Sequence, residues 1–297
     1  MTVIDASGPI GFIGLGVMGG SMARRLIGAG FQLRVHTRTP SKAKALVDEG
    51  ALWEPNLISL TPGCRAIITM LGFPEEVEAV YFGPQGVLAN ATPDTLLIDM
   101  TTSRPALARR IHTEATKLGL HALDAPVSGG DIGAREGRLS IMVGGDQAAF
   151  RDAELLFAAI STRIVFQGGA GSGQRVKLCN QIAGFGSTLG TCEAMAFAIR
   201  AGLDPVKVLD SIGAGAASSW ALTNLAPRIL SGDFAPGFFV RHFLKDIGLA
   251  LEEAQAMGLT APGLSLAREL YGKLADQGLG DRGTQALYLL LNPAEKN

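Results

Sequence analysis

Residues 10–19 read Ile-Gly-Phe-Ile-Gly-Leu-Gly-Val-Met-Gly, and they decide the fold expected for this chain of 297 residues. The first four residues form the short apolar run that is typical of a buried strand. Apolar side chains then recur at the four-residue spacing of a helix, which we expect to end at Gly30. Between the two elements, Gly14, Gly16 and Gly19 form the pattern G-x-G-x-x-G.

Glycines at this spacing suit a strand-to-helix turn that binds a pyrophosphate. The first permits a tight turn, the second lets the backbone approach the phosphates, and the third lets the helix pack closely on the strand. The start of the helix also offers free N–H groups and a partial positive charge to an anion. An ordinary glycine-rich turn is the alternative, but the flanking strand and helix favour a dinucleotide bound by Gly14, Leu15, Gly16, Val17, Met18 and Gly19.

Apolar runs and helical patterns alternate as far as residue 167, which predicts an α/β fold with a doubly wound parallel sheet of the Rossmann type. The further strands expected are 33–36, 66–70, 96–99, 121–124, 139–143 and 163–166. After the flexible run 168–171, a proline-free helical pattern covers 172–201, and no strand pattern follows. We therefore expect a nucleotide-binding domain over 1–169 and an all-α domain over 170–297.

Composition excludes several classes of protein. With 47% hydrophobic and 18% charged residues, the chain is not a disordered one. The formal net charge of -1 argues against a nucleic-acid partner. The three cysteines form no C-x-x-C pair and no cluster with histidine, so we expect no metal site and a reducing, cytoplasmic location. The longest uncharged runs, 6–23 and 211–227, contain glycines or polar residues, so we expect no membrane-spanning segment.

The end of the second expected strand indicates which dinucleotide binds. An NAD site usually has an acidic residue about 20 residues beyond the glycines, where it binds the ribose 2′-hydroxyl. Residues 36–39 read His-Thr-Arg-Thr instead. Arg38 offers a planar cation for a 2′-phosphate, with Thr37 and Thr39 on either side and Lys42 nearby. NADP is therefore favoured, and NAD is the alternative if Arg38 is an ordinary solvated side chain.

A later segment has the residue types of a carboxylate site. Ser128, Gly129 and Gly130 follow the expected strand 121–124, at the carboxyl end where open α/β sheets bind ligands. A hydroxyl beside bare backbone N–H groups makes a cradle for a carboxylate. We therefore expect a small-molecule substrate that carries a carboxylate.

The long helical pattern contains a candidate proton donor. Lys177 and Gln181 share one face of the helix, and Asn180 lies beside them. A lysine on an inward face can act as a general acid, with the two amides orienting it or the substrate hydroxyl. Taken alone, this helix would instead suggest a surface lysine.

Together these segments resemble the β-hydroxyacid dehydrogenase family over essentially the whole chain. The family includes 3-hydroxyisobutyrate dehydrogenase, 2-hydroxy-3-oxopropionate (tartronate semialdehyde) reductase, glyoxylate/succinic semialdehyde reductase and, more distantly, 6-phosphogluconate dehydrogenase. The segments that carry the resemblance are 11–19, 99–102, 124–130, 137–145, 171–181, 236–238 and 245–246. The resemblance implies an NAD(P)-dependent oxidoreductase acting on CH–OH groups.

The resemblance also implies roles for individual residues. Ser128 and Gly129 match the family's carboxylate binders, and Lys177 matches its catalytic lysine. Gln181 departs from the asparagine that many members have, and Gly72-Phe73-Pro74 departs from the commoner loop. Residues implied by the resemblance alone are Thr102, Phe238 and Asp246 in the active cleft, Met70 and Leu71 in the loop over the adenosine ribose, and Thr102 and Lys245 near the cofactor.

We expect an enzyme that interconverts a small 3-hydroxy acid and its semialdehyde with NADP(H). Tartronate semialdehyde is the first expected substrate, 3-hydroxyisobutyrate the second, and succinic semialdehyde or glyoxylate the third. A non-catalytic NADP-binding scaffold and an imine reductase are the alternatives, and Lys177 argues against both. Apolar helices in the second half, together with the family resemblance, favour a homodimer or homotetramer.

The NADP assignment gives a test at Arg38. Loss of a charged hydrogen bond costs roughly 1.5–3 kcal/mol, so Arg38→Ala should weaken NADPH binding about 10- to 150-fold. NADH binding should change little. Dissociation constants for both cofactors would be measured by calorimetry, and an equal loss for both would show that Arg38 does not bind the phosphate.

Overall fold

The computed structural model describes residues 3–292. The chain divides into two compact units, Met1–Lys177 and Leu178–Asn297. The long helix expected to open the second domain begins at Ser172, so the division between the units lies inside it.

The described part of the first unit has nine strands in one sheet, of order β3-β2-β1-β4-β5-β6-β8-β7, with β9 beside β8. All seven predicted strands are present, and two strands of two residues each were not predicted. The strands are β1 (Ile10–Ile13), β2 (Leu33–His36), β3 (Leu52–Trp53), β4 (Ala66–Thr69), β5 (Leu96–Asp99), β6 (His121–Asp124), β7 (Val127–Ser128), β8 (Leu139–Gly145) and β9 (Ser161–Gly168).

Helices connect these strands and cover both faces of the sheet, which confirms the Rossmann-type fold. They are α1 (Val17–Gly28), a 3₁₀ turn (Pro40–Ala43), α2 (Lys44–Asp48), α3 (Leu57–Leu60), α4 (Pro74–Phe82), α5 (Val87–Asn90), α6 (Pro105–Lys117), α7 (Gly130–Glu136), α8 (Gln147–Asp152) and α9 (Glu154–Ala158). Because side chains alternate along a strand, the same strands supply two cores. The core facing α1 contains Phe12, Ile68 and Ile98, and the core facing α4 and α6 contains Ile13, Ile67 and Leu97.

The sheet is mostly parallel, as predicted, and the exception is β8, which pairs antiparallel with β6 and β7. The pairs Asp124↔Gly144 and Val127↔Ile141 belong to one continuous register, and the N–H of Met142 donates to the carbonyl oxygen of Pro126 between them. Thus β6 and β7 form one extended arm that is interrupted where Pro126 has no N–H to donate. The chain folds back through α7 as a hairpin, whereas a parallel pair would require a crossover connection back to the opposite end of the strands.

The second unit is helical, as expected. Between residues 178 and 292 the only strand-like pairing is an isolated bridge between Phe239 and Gly283. Buried aromatic rings form the centre of its core, with Phe243 and Tyr271 in edge contact at 5.0 Å. The helices are α10 (Ser172–Arg200), α11 (Pro205–Gly213), α12 (Trp220–Asn224), α13 (Ala226–Leu230), α14 (Val240–Ala256), α15 (Pro262–Asp276), a 3₁₀ turn (Thr284–Ala286) and α16 (Leu287–Leu291).

Helix α10 is, within residues 3–292, the one helix long and apolar enough to cross a membrane by length and composition. Its uncharged stretch ends at Lys177 and Glu193 and is shorter than the runs 6–23 and 211–227. Its side chains Phe185, Cys192 and Met195 are buried in the core of the second unit.

The glycine turn between β1 and α1 has the three geometries that the motif predicts. Gly14 has φ +100°, and a β-carbon on it would lie 2.3 Å from the carbonyl oxygen of Met70. A β-carbon on Gly19 would lie 2.0 Å from the carbonyl oxygen of Gly14. A β-carbon on Gly16 would have no atom within 4 Å. The first and third glycines are therefore required by packing, and the second faces open space.

Adjacent glycines in α1 allow a matched test of this packing. Gly19→Ala should destabilise the protein by roughly 1–3 kcal/mol, because the new methyl group meets backbone that cannot rotate away. At Gly20 the nearest atom to a β-carbon is 3.9 Å away, so Gly20→Ala should be neutral or stabilise by up to about 1 kcal/mol. Thermal midpoints would be compared, and similar midpoints for the two variants would contradict the packing argument.

Candidate active site

The turn at residues 14–19 has open space where the sequence predicts a dinucleotide pyrophosphate. Gly16 precedes α1 and leaves open space above the turn. No side chain caps the helix, and its first turn contains no acidic residue. The N-terminal N–H groups and the helix dipole are thus available to an anion. Within the motif, Leu15 is buried, Met18 is half-buried and Val17 is exposed.

The ends of β2 and β4 lie against this turn. The N–H of Gly14 donates to the carbonyl oxygen of His36 at 2.9 Å, and the N–H of Met70 donates to Ile13 at 2.9 Å. A β-carbon on Gly14 would also lie 3.0 Å from the side chain of Leu71. The structure therefore brings the three predicted cofactor segments, 14–19, 37–39 and 70–71, to one edge of the sheet.

Two buried carboxylates lie side by side at the carboxyl ends of β5 and β6. Asp99 and Asp124 are directly paired in the strand register. Burial raises the pKa of each carboxyl group from 3.8 to about 6. Asp99 accepts hydrogen bonds from the Thr69 hydroxyl at 2.8 Å and from the Thr101 N–H at 3.1 Å. Asp99 thereby orders the loop that carries Thr102.

Asp124 caps the start of α10. Its Oδ1 accepts from the N–H of Gly171 at 2.7 Å, and its Oδ2 accepts from the N–H of Gln174 at 2.8 Å. The fit is tight, because a β-carbon on Gly144 would lie 2.6 Å from Oδ1 and one on Gly173 would lie 2.5 Å from the Asp124 carbonyl oxygen. The sequence motif contained Asp124 but gave it no role.

Gln174 ties the same helix to the loop after β5. Its side chain is fully buried, accepts from the Ser103 N–H at 2.9 Å, and donates to the Thr101 carbonyl oxygen at 2.7 Å. Lys177, only 7% exposed, follows three residues later on the helix. The first turn of α10 is thus fixed from two sides, and Lys177 extends from that fixed turn. Sequence reasoning missed Gln174, whose partners are more than 70 residues away.

The expected carboxylate cradle lies where β7 ends and α7 begins. Ser128 is half-buried and is paired with Ser140 of β8. Gly129 has φ +134°, and a β-carbon there would meet the side chain of Leu139 at 3.2 Å. The left-handed backbone conformation by itself therefore explains why glycine stands at position 129.

In the second unit, a chain of polar contacts joins the remaining predicted residues. Asn180 donates to the Gln181 side-chain oxygen at 2.8 Å, and Gln181 donates to Oδ2 of Asp246 at 2.6 Å. The Lys245 ammonium lies 2.8 Å from Oδ1 of Asp246. Asp246 is 1% exposed. The amide of Gln181 is therefore oriented by Asp246, a link that the sequence did not indicate.

Aromatic side chains of the second unit divide between core and surface. Phe238 is half-buried, with its ring centroid 5.7 Å from that of Phe243. Phe243 is buried, whereas Trp220 is 54% exposed. Among residues 3–292, no group of three His, Cys, Asp or Glu side chains could hold a metal ion.

Two family models match consecutive parts of the chain. The NAD binding domain of 6-phosphogluconate dehydrogenase matches residues 9–169, and the model described as NAD-binding of NADP-dependent 3-hydroxyisobutyrate dehydrogenase matches residues 171–291. The chain belongs to the β-hydroxyacid dehydrogenase family. This family consists of NAD(P)-dependent oxidoreductases that act on CH–OH groups.

Several relatives resemble this dehydrogenase over nearly their full length. An uncharacterized oxidoreductase of Bacillus subtilis is 53% identical, covering 95% of this chain and 98% of its own. The 2-hydroxy-3-oxopropionate reductase of Escherichia coli is 39% identical, covering 91% and 92%. The structure of Mycobacterium tuberculosis 3-hydroxyisobutyrate dehydrogenase with L-serine is 34% identical, covering 96% and 99%, with a TM-score of 0.85.

The buried pair of carboxylates predicts a pH-dependent stability. Burial raises the pKa of Asp99 to about 6 in the folded protein, whereas the ordinary value is 3.8. Between about pH 4 and 6, Asp99 is therefore protonated in the folded protein and ionised in the unfolded chain. The stability contributed by this group therefore falls as the pH rises through that window. Asparagine carries no charge, so the free energy of unfolding of Asp99→Asn should rise relative to that of the wild type by roughly 1–3 kcal/mol between pH 4 and 7. Thermal midpoints at each pH measure this, and a difference independent of pH would contradict it.

Proposed function

We propose that this dehydrogenase reduces a small 3-oxo acid to the 3-hydroxy acid with NADPH, with 2-hydroxy-3-oxopropionate as its substrate. The observation that carries the proposal is the anchoring of Lys177. Asp124 and Gln174 fix the turn that precedes it, and Asp124 lies four residues before the expected carboxylate binder Ser128. Similarity to the Escherichia coli 2-hydroxy-3-oxopropionate reductase supports this substrate.

A second candidate is the oxidation of 3-hydroxyisobutyrate. The model matching residues 171–291 and the Mycobacterium tuberculosis structure both carry that activity in their names. The same residues would perform it, because oxidation of the hydroxyl is the reverse of aldehyde reduction. A panel of 3-hydroxy acids and semialdehydes, followed by nicotinamide absorbance, separates the candidates. The highest kcat/KM should belong to 2-hydroxy-3-oxopropionate, and glyoxylate and succinic semialdehyde belong in the same panel.

The residues of the first unit suit distinct parts of this reaction. A nicotinamide dinucleotide, when bound, would supply or accept the hydride. The Ser128 hydroxyl and the backbone N–H groups of Gly129 and Gly130 would hold the substrate carboxylate. Lys177 Nζ would give a proton to the aldehyde oxygen as it gains negative charge, and would take the hydroxyl proton in the reverse direction. Its burial keeps bulk water from competing for that proton.

The residues of the second unit would assist that proton transfer. Asp246 orients Gln181, and Gln181 in turn accepts from Asn180. We propose that these amides orient the substrate hydroxyl or the lysine, since Asn180 and Gln181 lie on the same helix as Lys177.

The cofactor proposed is NADP. Arg38 stands where a 2′-phosphate binder is expected and is 85% exposed, with Thr37 and Thr39 as its neighbours. The description of the second family model as NADP-dependent supports this choice.

We propose a homodimer or homotetramer in the cytoplasm. Large apolar side chains of the second unit are exposed, including Phe197 at 72%, Val206 at 64% and Leu203 at 51%. The three cysteines, Cys64, Cys179 and Cys192, are all free, which suits a reducing compartment.

Substitution of Lys177 tests the mechanism. A positioned general acid usually contributes 10²–10⁴-fold to the rate, so Lys177→Ala should lose about that factor in kcat for a semialdehyde. NADPH affinity should be retained, because residues 14–19 are unchanged. Lys177→Arg should restore little activity, since a guanidinium does not release its proton near neutral pH.

Controls distinguish the competing functions. Ser128→Ala should raise KM for an acid substrate while leaving NADPH affinity unchanged, so it separates substrate binding from proton transfer. A scaffold would show no turnover in the wild type. An imine reductase would keep its turnover in Lys177→Ala. Near wild-type reduction of a semialdehyde by Lys177→Ala would rule out the mechanism.

A further inference from the structure

An ion pair crosses the end of strand β1, above the glycine turn. Arg38 follows β2, and Glu76 belongs to α4, which follows β4. Their side chains meet with Arg38 Nη2 2.6 Å from Glu76 Oε1. Because β1 lies between β2 and β4 in the sheet, the pair spans the edge where the turn containing Gly14 and Gly16 is found.

Glu76 is the fixed member of this pair. Its other oxygen, Oε2, accepts from the N–H of Gly72 at 2.9 Å and from the N–H of Phe73 at 3.3 Å, just before α4 begins. The Glu76 side chain is 25% exposed, whereas that of Arg38 is 85% exposed. The Glu76 carboxylate is thus held by backbone N–H groups, whereas the Arg38 side chain is long and solvated.

We propose that Glu76 competes with the 2′-phosphate of NADP for Arg38 and so lowers the preference for NADP over NAD. The inference rests on the proposed preference for NADP. A doubly charged phosphate attracts a guanidinium more strongly than one carboxylate does, and it binds two N–H groups in the same planar geometry. NADH has no such group and leaves the pair intact. Glu76 therefore lowers NADPH affinity in particular, since NADPH must displace it.

Glu76→Gln tests this partner exchange. Glutamine keeps an oxygen that can accept from the N–H of Gly72, so the start of α4 is preserved. An exposed ion pair is weak, and its loss corresponds to about two- to five-fold in a binding constant. The dissociation constant for NADPH should therefore fall about two- to five-fold, and that for NADH should stay the same. Calorimetric titration of the full-length protein with each cofactor at one ionic strength measures both.

The neighbouring Glu75 supplies a matched control. Glu75 pairs with Arg104 at 2.9 Å and makes no ion pair with Arg38. Glu75→Gln removes the same charge one residue away, so it should change neither constant. In an Arg38→Ala background, Glu76→Gln should increase NADPH affinity less than it does in the wild type. Without Arg38, the substitution removes only the repulsion between the carboxylate and the phosphate.

Each outcome has a distinct meaning. Weaker NADPH binding by Glu76→Gln would overturn the inference, since Glu76 would then be positioning Arg38 for the phosphate. An equal shift for NADPH and NADH, or an equal gain with and without Arg38, would also overturn it. If Arg38→Ala itself leaves NADPH binding unchanged, the proposed NADP preference is wrong. If Arg38→Ala weakens NADPH but Glu76→Gln does not tighten it, only the role given to Glu76 is wrong.

Discussion

The carboxylate of Asp124 is the contact on which the placement of the candidate catalytic lysine depends. It accepts two backbone N–H groups at the start of α10, one on each oxygen. Gly144 and Gly173 leave room for it, since a side chain on either would collide with Asp124. The arrangement converts the end of strand β6 into a support for the helix that carries Lys177. The same strand end leads directly into the segment containing Ser128.

This support has an energetic cost. Burial opposes the ionised forms of Asp99 and Asp124, and the raised pKa values record that opposition. Hydrogen bonds from Thr69, from the Thr101 backbone and from the start of α10 offset part of the cost. The strand ends therefore carry charge that stabilises local geometry at the expense of overall stability. Such a compromise is common where a protein arranges groups for chemistry.

Local patterns in the sequence predicted much of the fold, because they depend on neighbouring residues. The spacing of Gly14, Gly16 and Gly19 and the apolar runs of seven strands needed no knowledge of distant contacts. The antiparallel return of β8 could not be read in this way, since strand direction depends on where the connection passes. Pro126 indicates where the arm of β6 and β7 is interrupted, but not the direction of β8.

The candidate site was predictable in its residue types but not in its connections. The segments holding Ser128 and Lys177 were found by motif and family resemblance. The link from Asp124 to Gly171 joins residues 47 positions apart, and that from Gln181 to Asp246 joins residues 65 apart. Periodicity and spacing contain no information at such separations. Arg38 was likewise identified by its position, whereas its partner Glu76 required coordinates.

The helix shared by the two compact units limits how the chain can be treated as a set of modules. The glycine run ending at Gly171 looks like a natural place to exchange one helical half for another. A junction at Gly169 would, however, separate Asp124 from both of its N–H donors and would remove Lys177 from the unit that fixes it. A chimera that keeps the geometry of the candidate site must therefore retain α10 at least through Lys177. In recombination experiments, the start of α10 must come from the same parent protein as the sheet.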